Sequence, residues 1–255
     1  MRLARRDEAR NPPPGVAAAP PGTRVYAVGD CHGRLDLLRR LESAIAKDAE
    51  AAAPERAVVV YLGDYVDRGP ESAGVIEHLI AEPLTGFESV HLIGNHEAMM
   101  LEFLRLGDAA GLTWLINGGE ETLASYGVDV AGGRDSDRPL SRLRADLEER
   151  LPESHRRFLE GLQRTHREGG YLFVHAGVDP LRPLDKQDPE DLIWIREPFL
   201  NDSNELGQVV VHGHTPSRLP VERPNRIGVD TGAVYGGALT AVVLEGATRR
   251  YLDVA

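Results

Sequence analysis

Five apolar runs in this chain stop in the same way. "AVGDCHG", "YLGDYVDRG", "LIGNHE", "LFVHAG" and "VVHGHT" each carry strand-forming residues into a glycine-bearing turn that holds acids, an amide or imidazoles. This recurrence constrains the fold strongly. Acids and imidazoles at the end of a buried strand cost free energy unless they are paired or metallated. Ligands of open α/β sheets collect outside the carboxyl ends of the strands, so the five ends predict one shared site. The flanking glycines allow sharp turns and close approach of backbone to a ligand.

The segments between these ends fit that picture. "RVYAVGD" reads as a strand, and after it Leu35, Leu38, Leu41 and Ile45 recur at helical spacing. "AVVVYLGD" is a second strand, with Pro70 placed to open the next helix. "SVHLIGN" is a third strand, and "HEAMMLEFLRLG" a third helix. Residues 108–167 read as several helices with a glycine-rich break at "NGGEE". "GYLFVHAG", "GQVVVHGH", "NRIGVDTG" and "ALTAVVLEG" follow as strands with little room for helices between them. The expectation is a mixed α/β domain over residues 24–255, with two sheets or one strongly curled sheet and a helical insertion at about 108–167. Residues 1–23, rich in Arg, Pro and Ala and without the apolar core of a secretory signal, are expected to be a disordered tail.

Composition narrows the partners. A net charge of −11 argues against nucleic acid, whose phosphates call for clustered Lys and Arg. No apolar run reaches the roughly 20 residues of a membrane helix. The single cysteine, Cys31, forbids an internal disulfide and suits a cytoplasmic location. No G-x-x-x-x-G-K-[ST] loop and no G-x-S-x-G elbow is present.

The donor set then points to metal chemistry. Carboxylates, imidazoles and one amide, with no thiolate, suit Mn²⁺, Fe or Zn²⁺. Six such side chains are too many for one ion with an open position. They suit two ions sharing a carboxylate, roughly 3.5–4 Å apart, with an acidified bridging water directed at phosphorus.

Together, "GDCHG", "GDYVDRG", "GNHE", "HAG" and "GHTP" resemble the signature blocks of calcineurin-like metallophosphoesterases, more narrowly the phosphoprotein phosphatases. "WLINGGEETL", "IWIREPF" and "VDTGAVYGGALT" are similar to the bacterial and phage branch of serine/threonine phosphatases, and the likeness runs over residues 24–244. It implies a central β-sandwich of mixed sheets flanked by helices in four layers. It implies that Asp30 and His32 hold a first metal, Asp64 bridges, and Asn95, His175 and His214 hold a second. His96 matches a general acid oriented by Asp67, while Arg68, Arg196 and Asn95 match phosphate-binding positions. Pro216 stands where a "GHxH" enzyme would have a further ligand, so His214 is the expected ligand and His212 a packed neighbour. Cys31 reads as a strand-end filler, and Asn117 either reaches substrate or sits in a plain helix–helix turn.

The expected activity is hydrolysis of a phosphomonoester on a protein or a small molecule by a monomer, with two divalent cations, manganese first among them, and a bridging hydroxide as nucleophile. Two alternatives remain. Symmetrical diadenosine tetraphosphate hydrolases resemble the same blocks, although retention of Asp67 favours the protein phosphatase. An inactive metal-binding scaffold would call for lost ligands, and every expected ligand is present.

Overall fold

The computed structural model of the chain describes residues 17–130 and 139–255. Two sheets pack face to face. The first joins β1 (Thr23–Val28), β2 (Arg56–Tyr61), β3 (Phe87–His91), β9 (Leu239–Glu245) and β10 (Thr248–Val254) in the order β10-β9-β1-β2-β3. The second joins β4 (Thr165–Glu168), β5 (Tyr171–Val174), β6 (Val209–His212), β7 (Val221–Arg223) and β8 (Arg226–Gly228) in the order β4-β5-β6-β8-β7. β1, β2 and β3 run parallel, joined through α1 (Leu35–Ala52) and α2 (Ser72–Ala81), whereas β9 and β10 are antiparallel. The domain is therefore mixed α/β, with two mixed sheets flanked by helices.

The strands read as unbroken apolar runs because both faces of the first sheet are covered. Val25, Ala27, Val58 and Val60 point inward and pack with Phe173, Val211 and Ile227 of the second sheet. Tyr26, Val28 and Val59 point the other way, against Leu38, Leu41 and Ile45 of α1. A third core lies on the far face of the second sheet, where Leu172, Val174 and Val210 meet Ile193 and Phe199.

Three strands escape a reading by apolar runs: β4 ("THRE"), β7 ("VER") and β10 ("TRRYLDV"). Each lies at a sheet edge. Charged side chains suit such edges because they discourage pairing with another chain, and the same charges remove the apolar signal. β4 also falls at the end of the stretch expected to be helical, 108–167.

The rest of that stretch is helical where described. α3 (Asn95–Leu106) is followed by α4 (Asp108–Trp114), α5 (Glu120–Ser125), α6 (Leu140–Arg150) and α7 (Glu153–Glu160). At "NGGEE" the chain kinks through a wide turn, Leu115–Gly119, in which Gly118 has φ 106°. Of the expected tail, residues 1–16 lie outside the described residues. Residues 17–22 correct that expectation, because they are ordered against the domain. Ala19 is buried and donates its N–H to the Gly246 carbonyl at 2.8 Å, and Gly170 N–H reaches the Ala18 carbonyl at 2.9 Å. Alanines are small enough to fill this seam between strands. Among the described residues no helix is long and apolar enough to cross a membrane.

Candidate functional site

The strand ends converge. Asp30 and His32 follow β1; Asp64, Asp67 and Arg68 follow β2; Asn95 and His96 open α3 after β3; His175 follows β5; and His214 follows β6. Asp30, His32, Asp64, Asp67, Asn95, His96, His175 and His214 are all buried. The backbone here is strained. Of the six non-glycine residues with positive φ among those described, five are His32, Asp64, Asp67, Arg68 and His214. Such conformations cost about 1–3 kcal/mol each and persist where the surroundings over-determine them, often at functional sites.

Asp64 is the hub. Its Oδ1 lies 3.4 Å from His175 Nε2, and its Oδ2 lies 3.5 Å from His32 Nε2 and 3.9 Å from His96 Nε2. Asn95 Oδ1 sits 3.0 Å from His175 Nε2 and 2.9 Å from His214 Nδ1. Two ligand-type clusters result, His32–Asp64–His96 and Asp64–His175–His214, and they share Asp64. Asp30 stands outside both. Its Oδ2 accepts the His214 N–H at 2.9 Å, while its buried Oδ1 has no hydrogen-bond partner among the described residues. Close approach fixes two of the glycines: a Cβ on Gly94 would lie 2.1 Å from Asp64 Oδ1, and one on Gly213 2.0 Å from Asp30 Oδ1.

These residues fit a pair of cations. His32 Nδ1 lies 2.8 Å from the Val66 carbonyl and His175 Nδ1 2.8 Å from the Leu62 carbonyl. Donation at Nδ1 turns each Nε2 toward the cluster, and in His32 it leaves a lone pair there, the tautomer a ligand needs. His214 Nε2, like Asp30 Oδ1, is buried without a partner. A native interior rarely leaves such polar atoms unpaired.

The electrostatics agree. Burial alone would push His175 down, but the Asp64 and Asp30 carboxylates outweigh it and hold the imidazole up at about 10. Burial opposes ionisation of Asp64, yet His175 and His96 outweigh it and keep the carboxyl well below the usual range. Burial and Asp230 push Asp30 well above that range. Burial lowers His32 and His214 to about 3, leaving them neutral near pH 7. The field favours positive charge beside Asp64, and the neutral imidazoles are free to bind it.

Within the first cluster, His96 Nδ1 is 2.7 Å from Asp67 Oδ2, and His96 Nε2 is buried with no hydrogen-bond partner among the described residues. A cavity of about 130 Å³ opens here, lined by Asp64, Asn95 and His96 and by Arg68, Arg196 and Asn117. Both expected arginines are thus present, with Arg68 Nη1 2.7 Å from His32 Nε2. Asn117 lines the cavity and also donates its Nδ2–H to the Thr113 carbonyl at 2.8 Å, so it belongs both to the turn and to the cavity wall. A larger groove of about 690 Å³ between α3 and α7 contains none of the expected ligands and touches the cavity only at Trp194. The expected ligands and arginines gather around the smaller space.

Some residues were not legible. Glu97, quoted within "GNHE" but given no role, accepts N–H groups from Asp64, Tyr65, Val66 and Gly94 at 2.7–3.1 Å. It thereby braces the turn that carries Asp64. Its signal was its place three residues after Gly94 at a helix start, where a carboxylate caps free N–H groups. Asp230 lies beside Asp30, and Tyr235 lines the cavity with its ring 5.7 Å from the Arg68 guanidinium. His212 packs on Phe199 and lies 3.5 Å from Arg226 Nη1, outside the cavity. Cys31 is buried, with its thiol pushed up by burial.

The comparisons agree with this geometry. The chain is 29% identical over 220 residues to serine/threonine-protein phosphatase 1 of Salmonella typhimurium, covering 85% of this chain and 89% of that protein. It is 24% identical over 239 residues to the bis(5'-nucleosyl)-tetraphosphatase PrpE (asymmetrical) of Halalkalibacterium halodurans, covering 84% and 87%. A crystal structure provisionally named a diadenosine tetraphosphatase superposes with a TM-score of 0.60 at 25% identity, covering 94% of this chain and 99% of that one. A family model for the calcineurin-like phosphoesterases matches residues 23–234, most of the domain and every strand end described above. The chain belongs to the calcineurin-like phosphoesterase family.

Proposed function

We propose that the protein hydrolyses phosphomonoesters of alkyl alcohols, with phosphoserine and phosphothreonine in proteins as the substrate class. The observation that carries this reading is the Asp67–His96 pair. A buried carboxylate 2.7 Å from Nδ1 holds the ring, while the buried Nε2 is left without a partner beside Asp64. That is the arrangement of a general acid, and it matters most when the leaving group is a poor one such as a serine alkoxide. A nucleotide leaving group is far less basic and gains little from protonation.

The remaining residues take roles around it. Asp30, His32, Asp64, Asn95, His175 and His214 would hold two divalent cations, with Asp64 shared between them. The chemistry such cations supply when bound is Lewis-acid polarisation of the phosphoryl oxygens and a more acidic water. Arg68 and Arg196 orient the phosphate by charge-assisted hydrogen bonds. His96 delivers its Nε2 proton to the departing oxygen, and Asp67 balances the charge on the ring before transfer.

A second reading is hydrolysis of a dinucleoside polyphosphate. The exposed Tyr235 ring, 64% accessible at the cavity rim, offers a face on which a base could stack, and several relatives carry that name in its asymmetrical form. A substrate panel with Mn²⁺ added separates the two. The first reading expects kcat/KM on a phosphoserine peptide to exceed that on diadenosine tetraphosphate. Faster, selective cleavage of the dinucleotide would replace it with the second.

A further inference from the structure

Asp67 is held by more than His96. Its carboxylate also accepts the Thr122 hydroxyl, with Oγ1 2.6 Å from Oδ1, and the Trp114 indole N–H, with Nε1 2.9 Å from Oδ2 and 3.1 Å from Oδ1. The Asp67 N–H in turn reaches Thr122 Oγ1 at 2.8 Å and Ser72 Oγ at 3.0 Å. Asp67, Ser72, His96, Trp114 and Thr122 are all 0% exposed, so water does not compete for these bonds. Trp114 and Thr122 do not come from the strand ends. They flank the kinked turn at "NGGEE", one closing α4 and the other opening α5.

The turn is shaped for this contact. A Cβ on Gly119 would lie 2.6 Å from the Trp114 ring, so the indole can reach Asp67 only past a glycine. Within the same turn, the Gly118 carbonyl accepts the Arg68 N–H at 3.1 Å, and Asn117 lines the cavity. One short helical segment thus touches the cavity, the backbone of a phosphate-binding arginine and the carboxylate behind His96.

We infer that Trp114 and Thr122 are positioning residues that fix the Asp67 carboxylate, and through it set the orientation of the His96 imidazole for proton delivery. The physical reason is competition for rotamers. With only the imidazole N–H to hold it, an Asp carboxylate rotates freely about its terminal torsion. Three donors around one buried carboxylate leave a single orientation, and the imidazole must follow it. The inference rests on the general-acid reading of His96.

The test compares Thr122→Val, Thr122→Ser and Trp114→Phe with wild type and with His96→Asn, all saturated with Mn²⁺. In Thr122→Val, kcat on a phosphoserine peptide should fall roughly 10–100-fold, the range typical of supports behind an active group. Its kcat on p-nitrophenyl phosphate should stay within about threefold, and both KM values should hold, because phosphate contacts are untouched. Thr122→Ser, which keeps the hydroxyl, should restore the loss. Trp114→Phe should show the same split more weakly. A proton NMR readout, taken with diamagnetic Zn²⁺ in place of Mn²⁺, is independent of turnover. The downfield His96 Nδ1–H resonance, assigned by its loss in Asp67→Asn, should move upfield in Thr122→Val and return in Thr122→Ser.

Equal losses on both substrates in Thr122→Val, or a resonance that does not move, overturn the inference while His96→Asn still shows the split. If His96→Asn itself loses both activities equally, the general-acid reading falls, and the resonance alone then decides whether Thr122 orders the pair. Should Thr122→Val fail to fold, Trp114→Phe carries both measurements.

Discussion

The two sides of the proposed catalytic cavity are held by different means. On the side of Asp30, Asp64 and His175, the fixing groups are mostly main chain. The Val66 and Leu62 carbonyls set the two imidazole tautomers, the His214 N–H orients Asp30, and the His96 N–H reaches Asp64 at 3.2 Å. On the side of His96, the fixing groups are side chains from the helical segment 108–125, Trp114 and Thr122 acting on Asp67. Main-chain partners come with the sheet, so a chain that closes this sandwich obtains them together. Side-chain partners can be changed one at a time. The metal-type side is thus tied to the fold, and the acid side is open to tuning by the helical segment.

The largest expected effect falls on the first side. Asp64→Asn should lower activity on every phosphoester by about 10³-fold or more, the upper end of what losing one electrostatic anchor costs. Chelation of divalent cations should do the same to wild type, with recovery on adding Mn²⁺. A variant that loses activity on alkyl substrates alone would break the contrast, because Asp64 would then behave like the acid.

His96→Asn is the complementary case. Activity on phosphoserine peptides should drop about 10²–10⁴-fold, the usual range for a general acid, with little change on an aryl phosphate. Steady-state kinetics on the two substrates reads this directly, and parallel losses would dissolve the distinction between the sides.

Glu97→Gln probes the one place where a side chain braces the main-chain side. It should cost about 1–3 kcal/mol of stability, because the amide offers one acceptor oxygen in place of the two that take the buried N–H groups. Urea unfolding measures it. An unchanged midpoint would show that the turn at Asp64 needs no brace.

The smallest effect lies away from the cavity. Burial opposes ionisation of Asp48, but hydrogen bonds from Arg250 and Tyr26 outweigh it and hold its carboxyl below the usual range. A carboxyl lowered in the folded state adds stability above its unfolded value, about pH 4, and loses it as pH falls through the folded value. The stability gap between wild type and Asp48→Asn should therefore be present at pH 7 and narrow below pH 4. A gap that is constant with pH would remove the linkage, and neither condition should alter the substrate split seen with His96→Asn.

Edge and centre explain what was readable in the fold. β1, β2, β5 and β6 are visible as apolar runs because both their faces are covered. β4, β7 and β10 carry charge at the sheet edges and leave no such run. The same division applies at the site. Asp30, Asp64, Asn95, His175 and His214 announce themselves through residue type at a strand end. Glu97, Trp114 and Thr122 do not, because a glutamate at a helix start, a tryptophan and a threonine on helices are ordinary in any core.

The order of residues along the chain determined the strand ends and the donor chemistry gathered there, while the sandwich that unites them was implied by the resemblance of those blocks to a known family. That information is local, since residue type and spacing carry it. Tertiary structure decided which groups orient which: that Asp30 stands apart from both ligand clusters, that Glu97 grips four N–H groups, and that a helical segment some fifty residues downstream of Asp67 closes around its carboxylate. Such partnerships depend on hydrogen-bond distances of about 3 Å between segments remote in sequence, and only packing fixes those.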